Sequence, residues 1–312
     1  MFQFNLDDIN KRAMKTFKSI VILCFLSFFN QIYGQSIKKD KGHVNDKTFS
    51  YYYMQPQLKV AGIVILLPAT GEKPQSIFNK TSLPKLLAEK GYLTIIPEVH
   101  NLLYADQYNL DILDQLFHSQ SEKYKISTFI IGGLSSGGAL AARYGEYLLA
   151  KDTVIMLKGI IVIDAPLDLK RIYTSAERMI NFTCNGIIKK EGYSNKTQLE
   201  QALGGSPAAQ PKQYLKYSSY SASEENGGNA RFLKNIPIRL YSEPDLDFVR
   251  KTYCADFQLE DLNATDLENL NKFLLKIGNT QSQYITTKGK GFHSWNIVDP
   301  INCRDWILSI SH

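Results

Sequence analysis

The sequence predicts an α/β protein: a doubly wound, mainly parallel sheet with an inserted helical cap. Three observations carry that prediction. Short apolar runs alternate with stretches of helical periodicity between residues 59 and 164, the rhythm of parallel strands joined by crossover helices. Several of those runs are apolar throughout rather than at every second residue, as strands covered on both faces are. One strand-to-helix junction also carries Gly-x-Ser-x-Gly, formed by Gly133, Ser135 and Gly137. That junction is where a sharp turn exposes a serine hydroxyl above a sheet.

Taken in order, the chain opens with Lys11, Arg12, Lys15 and Lys18, an apolar run from Ile20 to Phe29, and a polar exit ending near Gly34. A basic start, a short apolar centre and a small residue at the exit predict a secretory signal peptide over residues 1–34, with Met14 as an alternative start. The run is too short to span a bilayer, so membrane contact is expected only through an uncleaved leader. The expected location is extracytoplasmic, periplasmic or secreted. Leu23 before Cys24 is not the small residue of a lipoprotein signal.

Residues 35–58 read as a lead-in, with a strand near 48–53. Residues 60–67 form a buried strand that ends at Pro68-Ala69-Thr70-Gly71. A helix over 83–90 follows, with Ser82 as N-cap and Gly91 as its stop. Residues 92–97 are a second strand, and apolar positions 110, 112, 113, 116 and 117 predict a helix over 109–123. The strand at 127–132 runs through the serine turn into a helix at 136–150, and 159–164 is another buried strand. The rhythm then breaks. Residues 167–236 hold no buried strand but have helices near 169–183 and 196–203. Tyr214, Tyr217 and Tyr220 recur there at three-residue spacing, either as pocket lining or as packing. Strands resume at 237–242 and 283–287 around an amphipathic helix at 262–277, and Asp299-Pro300 opens the final helix. Residues 59–312 are therefore expected to be one domain with an insert at about 167–236.

The 312 residues are 44% hydrophobic and 21% charged, with a dispersed net charge of +6. The clusters Lys38-Lys39-Asp40-Lys41 and Lys288-Gly289-Lys290 are short and read as solvated surface. No basic stripe is interleaved with aromatics, which argues against a nucleic-acid partner. Beyond the leader the cysteines are Cys184, Cys254 and Cys303, which leaves open one bridge with a free thiol or three reduced thiols. Their spacing suggests no metal site, and no glycine-rich dinucleotide fingerprint follows the first strand, so no cofactor is expected.

A serine hydroxyl is a weak nucleophile until a base takes its proton and an acid holds that base. Ser135 fits the frame better than Ser136, because counting from Ser136 puts Leu134 where a small residue is needed. In a strand–turn–helix serine enzyme the base follows the acid and both follow the serine. His43, His100 and His118 precede Ser135 and His312 is terminal, which leaves His293 in Gly289-Lys290-Gly291-Phe292-His293-Ser294-Trp295. The acid is expected just after the strand at 238–242. Asp245 has the better offset, with Asp247 as alternative, then Glu243; the loop from Asp164 to Asp168 is a further source. The oxyanion needs backbone N–H donors. Ser136 should supply one, and Thr70 the other, with Ala69 as alternative.

Gly133-Leu134-Ser135-Ser136-Gly137, Tyr241-Ser242-Glu243-Pro244-Asp245 and Gly291-Phe292-His293-Ser294-Trp295-Asn296 resemble the α/β-hydrolase fold superfamily from about Val60 onward. The resemblance implies a mainly parallel central sheet, a cap after the sixth strand, and Ser135–Asp245–His293 as the triad. The expected activity is that of an exported serine hydrolase, carboxylesterase-like, acting on a small-molecule or lipid-like ester. The scaffold also hosts peptidases and acyltransferases, so the substrate is not fixed by it.

Overall fold

The computed structural model describes residues 36–100, 102–151, 156–184 and 186–311. The chain divides into two units, Met1–Ser36 and Ile37–His312. The expected leader and the alternative start at Met14 lie outside the described residues. No helix among the described residues is long and apolar enough to cross a membrane.

The second unit is built on eight strands: β1 (Ile37–Val44), β2 (Lys47–Met54), β3 (Gly62–Leu67), β4 (Tyr92–Pro97), β5 (Thr128–Leu134), β6 (Met156–Ile163), β7 (Ile238–Ser242) and β8 (Ser282–Thr286). They form one sheet in the order β1-β2-β4-β3-β5-β6-β7-β8. β2 pairs antiparallel with both its neighbours, and every pairing from β4 to β8 is parallel.

Side chains alternate across a strand, so an all-apolar run must feed two cores. That is what β3 does. Ile63, Ile65 and Leu67 enter one cluster, with Phe129 and Ile131 of β5. Val64 and Leu66 enter the other, with Ile130. The helices are α1 (Ile77–Lys80), α2 (Leu83–Ala88), α3 (Gln107–Tyr124), α4 (Ser136–Leu149), α5 (Leu169–Ile180), α6 (Gly186–Leu203), α7 (Pro211–Tyr217), α8 (Leu246–Thr252), α9 (Asn263–Lys276) and α10 (Pro300–Ile310). The first core is closed by Leu113 and Phe117 of α3, by α4, and by Leu270 and Leu274 of α9. Leu83 and Leu87 of α2, with Trp306 and Ile307 of α10, close the second.

Three local readings differ from expectation. Lys38-Lys39-Asp40-Lys41 is solvated, yet it belongs to β1, whose first five residues are exposed. Charge on an edge strand keeps its open hydrogen-bonding side from pairing with another chain, and it also hides the strand from a hydrophobicity pattern. Ser82 does not cap α2 through its side chain; the Leu83 N–H donates to Thr81 Oγ1 at 3.2 Å instead. α6 begins well before residue 196, at Gly186. Asp299 does cap the last helix, accepting from Ile301 and Asn302 N–H at 2.9 and 3.1 Å.

The helices α5, α6 and α7 lie between β6 and β7, in the stretch expected to be an insert. Gly192 lets α6 approach α5 closely, because a Cβ there would sit 2.8 Å from the Ala176 carbonyl. Tyr214, Tyr217 and Tyr220 pack rather than line a pocket: Tyr214 meets Tyr173, Tyr217 meets Tyr104, and Tyr220 meets Phe273. The insert is tied to the body by Arg171 of α5, whose guanidinium donates to both oxygens of buried Asp266 on α9 at 2.5 and 2.8 Å. Cys184 and Cys254 form a disulfide between residues 70 apart in sequence, and Cys303 is free and buried.

Candidate active site

β5 delivers Ser135 into α4 through a turn that only small neighbours allow. A Cβ on Gly137 would lie 2.4 Å from the Leu67 carbonyl oxygen and one on Gly133 2.5 Å from the Gly137 carbonyl carbon. Ser135 itself has φ 56° and ψ −124°. Among the described residues five non-glycines have positive φ, and three of them are Ser135, Asp164 and Phe292, the last beside His293. Such backbone persists only where its surroundings over-determine it, and it clusters where side chains must be aimed.

His293 sits in the loop between β8 and α10, its side chain 37% exposed. Its Nδ1 lies 2.5 Å from Asp164 Oδ2. Asp164 follows β6 directly and is buried. Its backbone is fixed on both sides: its N–H donates to the Tyr241 carbonyl at 2.8 Å, and its own carbonyl accepts from Asn263 Nδ2 at 3.0 Å. Burial disfavours the charged imidazole. The Asp164 hydrogen bond and charge, with smaller contributions from Glu191 and Glu72, outweigh it, so the His293 pKa is raised above 6.5.

Asp245, the expected acid, is not at the histidine. Its side chain accepts the Phe248 N–H at 2.9 Å and caps α8. Asp247 lies in the exposed first turn of the same helix. Helix α8 starts too soon after β7 for either carboxylate to turn back, and each sits where a helix N-terminus favours negative charge. The acid that meets His293 comes one strand earlier, from the loop that had been the further source.

Glu243 has a different task. It accepts Thr287 Oγ1 at 2.9 Å and the N–H groups of Lys290, Gly291 and Phe292 at 2.7, 3.3 and 2.9 Å. Burial alone pushes its carboxyl up, but these four donors prevail and hold it below its ordinary value. It thus fixes the loop that ends in His293. Sequence reasoning missed this role, although the glycine-flanked loop needed an acceptor for its N–H groups.

The loop after β3 approaches the first turn of α4. Thr70 Oγ1 donates to Ser136 Oγ at 2.9 Å. The Ala69 N–H donates to Glu72 at 3.0 Å, so of the two loop candidates Ala69 is already committed. The Ser136 N–H, first in α4, has no acceptor within its own helix. Glu72 also accepts Trp295 Nε1 at 3.1 Å, linking this loop to the segment after His293.

Thr70, Ser135, Asp164 and His293 line one cavity of about 600 Å³, whose wall from α5 and α6 mixes apolar Ile172, Met179 and Ile188 with polar Glu191, Asn195 and Gln198. The geometry offers a nucleophile, a carboxylate-held base and donors for a developing oxyanion. Among the described residues, ligand atoms close enough to share a metal ion belong to Cys184, Cys254 and Asp256, and those two sulfurs are bonded to each other.

No protein-family model matches the chain, and no curated protein matches its sequence. Solved structures do. An esterase of Pyrococcus furiosus aligns with a TM-score of 0.59 at 9% identity, covering 89% of this chain and 92% of that one. A thermostable esterase from Pseudomonas putida aligns with a TM-score of 0.55 at 12% identity, covering 90% and 82%. An alpha-beta hydrolase from Vibrio vulnificus aligns with a TM-score of 0.52 at 15% identity, covering 88% and 81%. The chain has the α/β-hydrolase fold, as its sequence motifs suggested.

Proposed function

We propose that, on this α/β-hydrolase fold, the protein is a serine hydrolase that cleaves a carboxylic ester through an acyl-enzyme. Ser135 attacks the carbonyl, with His293 taking the proton and then giving it to the leaving alcohol. Asp164 holds the imidazole in the tautomer whose free nitrogen faces the cavity. The N–H groups of Ser136 and Thr70 receive the oxyanion, and water, activated by the same histidine, releases the acid. The observation that carries this reading is the Asp164–His293 pair opening onto the cavity that also holds Ser135 at a strained strand–helix turn. The helical insert acts as the cap over that cavity.

An active-site fluorophosphonate probe tests the assignment. It should label the protein and fail to label Ser135→Ala, while p-nitrophenyl esters of short acyl chains turn over in the wild type alone. Labelling that persists in Ser135→Ala overturns it. We read residues 1–34 as an export leader; its basic and apolar pattern supports this, and the Cys184–Cys254 bridge suits an oxidising compartment. N-terminal sequencing of the protein from culture checks that, and an intact leader on soluble protein counts against it.

A further inference from the structure

The cavity's charge and lining say something about what enters it. Positions 187, 188, 191, 194, 195 and 198 of α6 face the cavity, the spacing of one helical stripe. In the middle of that stripe stands Glu191. The other acids on the wall are engaged: Asp164 holds His293, and Asp261 pairs with Arg178 at 3.3 Å. No lysine or arginine is among the described residues that line it. Lys190, next along the helix, lines the neighbouring surface groove instead. Glu191 is an exposed residue of the helix; partial desolvation beside the cavity raises its carboxyl above the ordinary value, opposed by the charge of His293. For His293 to accept the serine proton it must be neutral, and then no described residue lining the cavity carries a positive charge to set against Glu191.

Aromatic rings complete the setting. Tyr253, Phe257 and Phe292 also line the cavity, and Phe292 and Tyr253 lie 6.4 Å apart, both within reach of Phe248 at 6.0 and 6.2 Å. A cavity lined by a carboxylate and by aromatic rings, with no lysine or arginine among its described lining residues, attracts a weakly hydrated cation, by charge and by the ring quadrupole. It equally repels a carboxylate or phosphate. We propose that Glu191 is a specificity residue and that the substrate carries a positively charged ammonium group, protonated or quaternary, near its scissile carbonyl. This rests on the serine-hydrolase reading above.

A matched substrate pair tests it: butyrylthiocholine and 3,3-dimethylbutyl thiobutyrate, alike in shape but differing by one fixed positive charge. The wild type should favour the cationic ester in kcat/KM by about tenfold, the scale of one partly desolvated charge contact. Glu191→Gln should bring the ratio to within about twofold. A binding arm needs no turnover: butyltrimethylammonium, titrated calorimetrically, should bind the wild type about tenfold more tightly than Glu191→Gln. Equal kcat/KM for the two esters in an active wild type overturns the cation assignment and leaves the serine-hydrolase reading standing. So does a Glu191→Gln variant that slows both esters alike while its pH profile shifts, since that marks a partner of His293 only. If the cation binds Glu191-dependently while Ser135 takes no probe, the hydrolase reading is the one that fails.

Discussion

Asp164, which meets the histidine, and Asp245, which was expected to, make the sharpest test. Asp164→Asn removes the charge 2.5 Å from His293 Nδ1 while keeping the side chain's shape. An amide at that position presents N–H as readily as C=O, so the imidazole loses the tautomer that leaves its other nitrogen free to accept a proton. The loss in kcat should be about 10⁴-fold, or about 5 kcal/mol of transition-state stabilisation. The pH profile gives a second signature. His293 is raised above 6.5 because the Asp164 bond and charge outweigh burial. The wild-type acid limb should therefore lie above that value, activity falling as pH drops through it and the ring becomes protonated. Without Asp164 the limb should move to lower pH in whatever activity remains. Asp245→Ala is the control. It removes a helix cap worth about 1 kcal/mol, which lowers the melting temperature by a few degrees and leaves kcat within a few-fold. Steady-state kinetics on a p-nitrophenyl ester across pH, with melting curves for both variants, measure all of this. If Asp164→Asn stays within tenfold of wild type while Asp245→Ala loses thousands-fold, the acid has been misassigned.

Two further outcomes follow from the same geometry. Glu243→Gln keeps an acceptor but loses the charge that holds three loop N–H groups. It should lower kcat by about 10–100-fold, as expected when a reacting group is misplaced by about an ångström, with KM little changed and Ser135 still the site of slower probe labelling. Unchanged kcat would show that the loop holds itself. Replacing Cys184 and Cys254 with serine frees a closure of 70 residues, and unfolding stability measured in denaturant should fall by at most about 4 kcal/mol. The bridge sits in the apolar cluster of Met179, Ile188, Val249 and Phe257, so the cavity wall should also loosen and KM should rise. A variant equal to wild type in both would show that packing alone fixes that wall.

Much of this was legible in the chain because it rests on short-range chemistry. All-apolar runs and Gly133 and Gly137 about Ser135 depend on neighbours in sequence, and chain order alone set aside three of the five histidines. The acid depends on where a distant loop returns, and there two local signals compete. Asp245 precedes Leu246 and Val249 and is followed by Arg250 and Lys251, the pattern of an N-cap, an apolar face and a basic last turn. Read that way, Asp245 was already spoken for by a helix. Asp164 has no such pattern after it: Ala165-Pro166 follows, and the next helix takes Asp168 as its cap instead. β1 escaped because an edge strand guarded by lysines has no hydrophobic alternation to detect.

The strained residues show how the site is held ready. Each is expected to cost about 1–3 kcal/mol, and each is gripped from more than one element. The Ser135 N–H donates to the Ile163 carbonyl at the end of β6, and its own carbonyl accepts from Ala139 in α4. Asp164 is held by β7 and by α9 through Tyr241 and Asn263. Phe292 is held by Glu243 through its N–H and accepts from Ser294 at its carbonyl. The three grips interlock, since the end of β6 carries Asp164 and braces Ser135, while β7 braces Asp164 and, through Glu243 at its end, anchors the loop of His293. A single weakened grip would thus be felt at two members of the constellation. That coupling explains why Glu243, which touches no reacting atom, sits at the strand end where an acid for the histidine was expected.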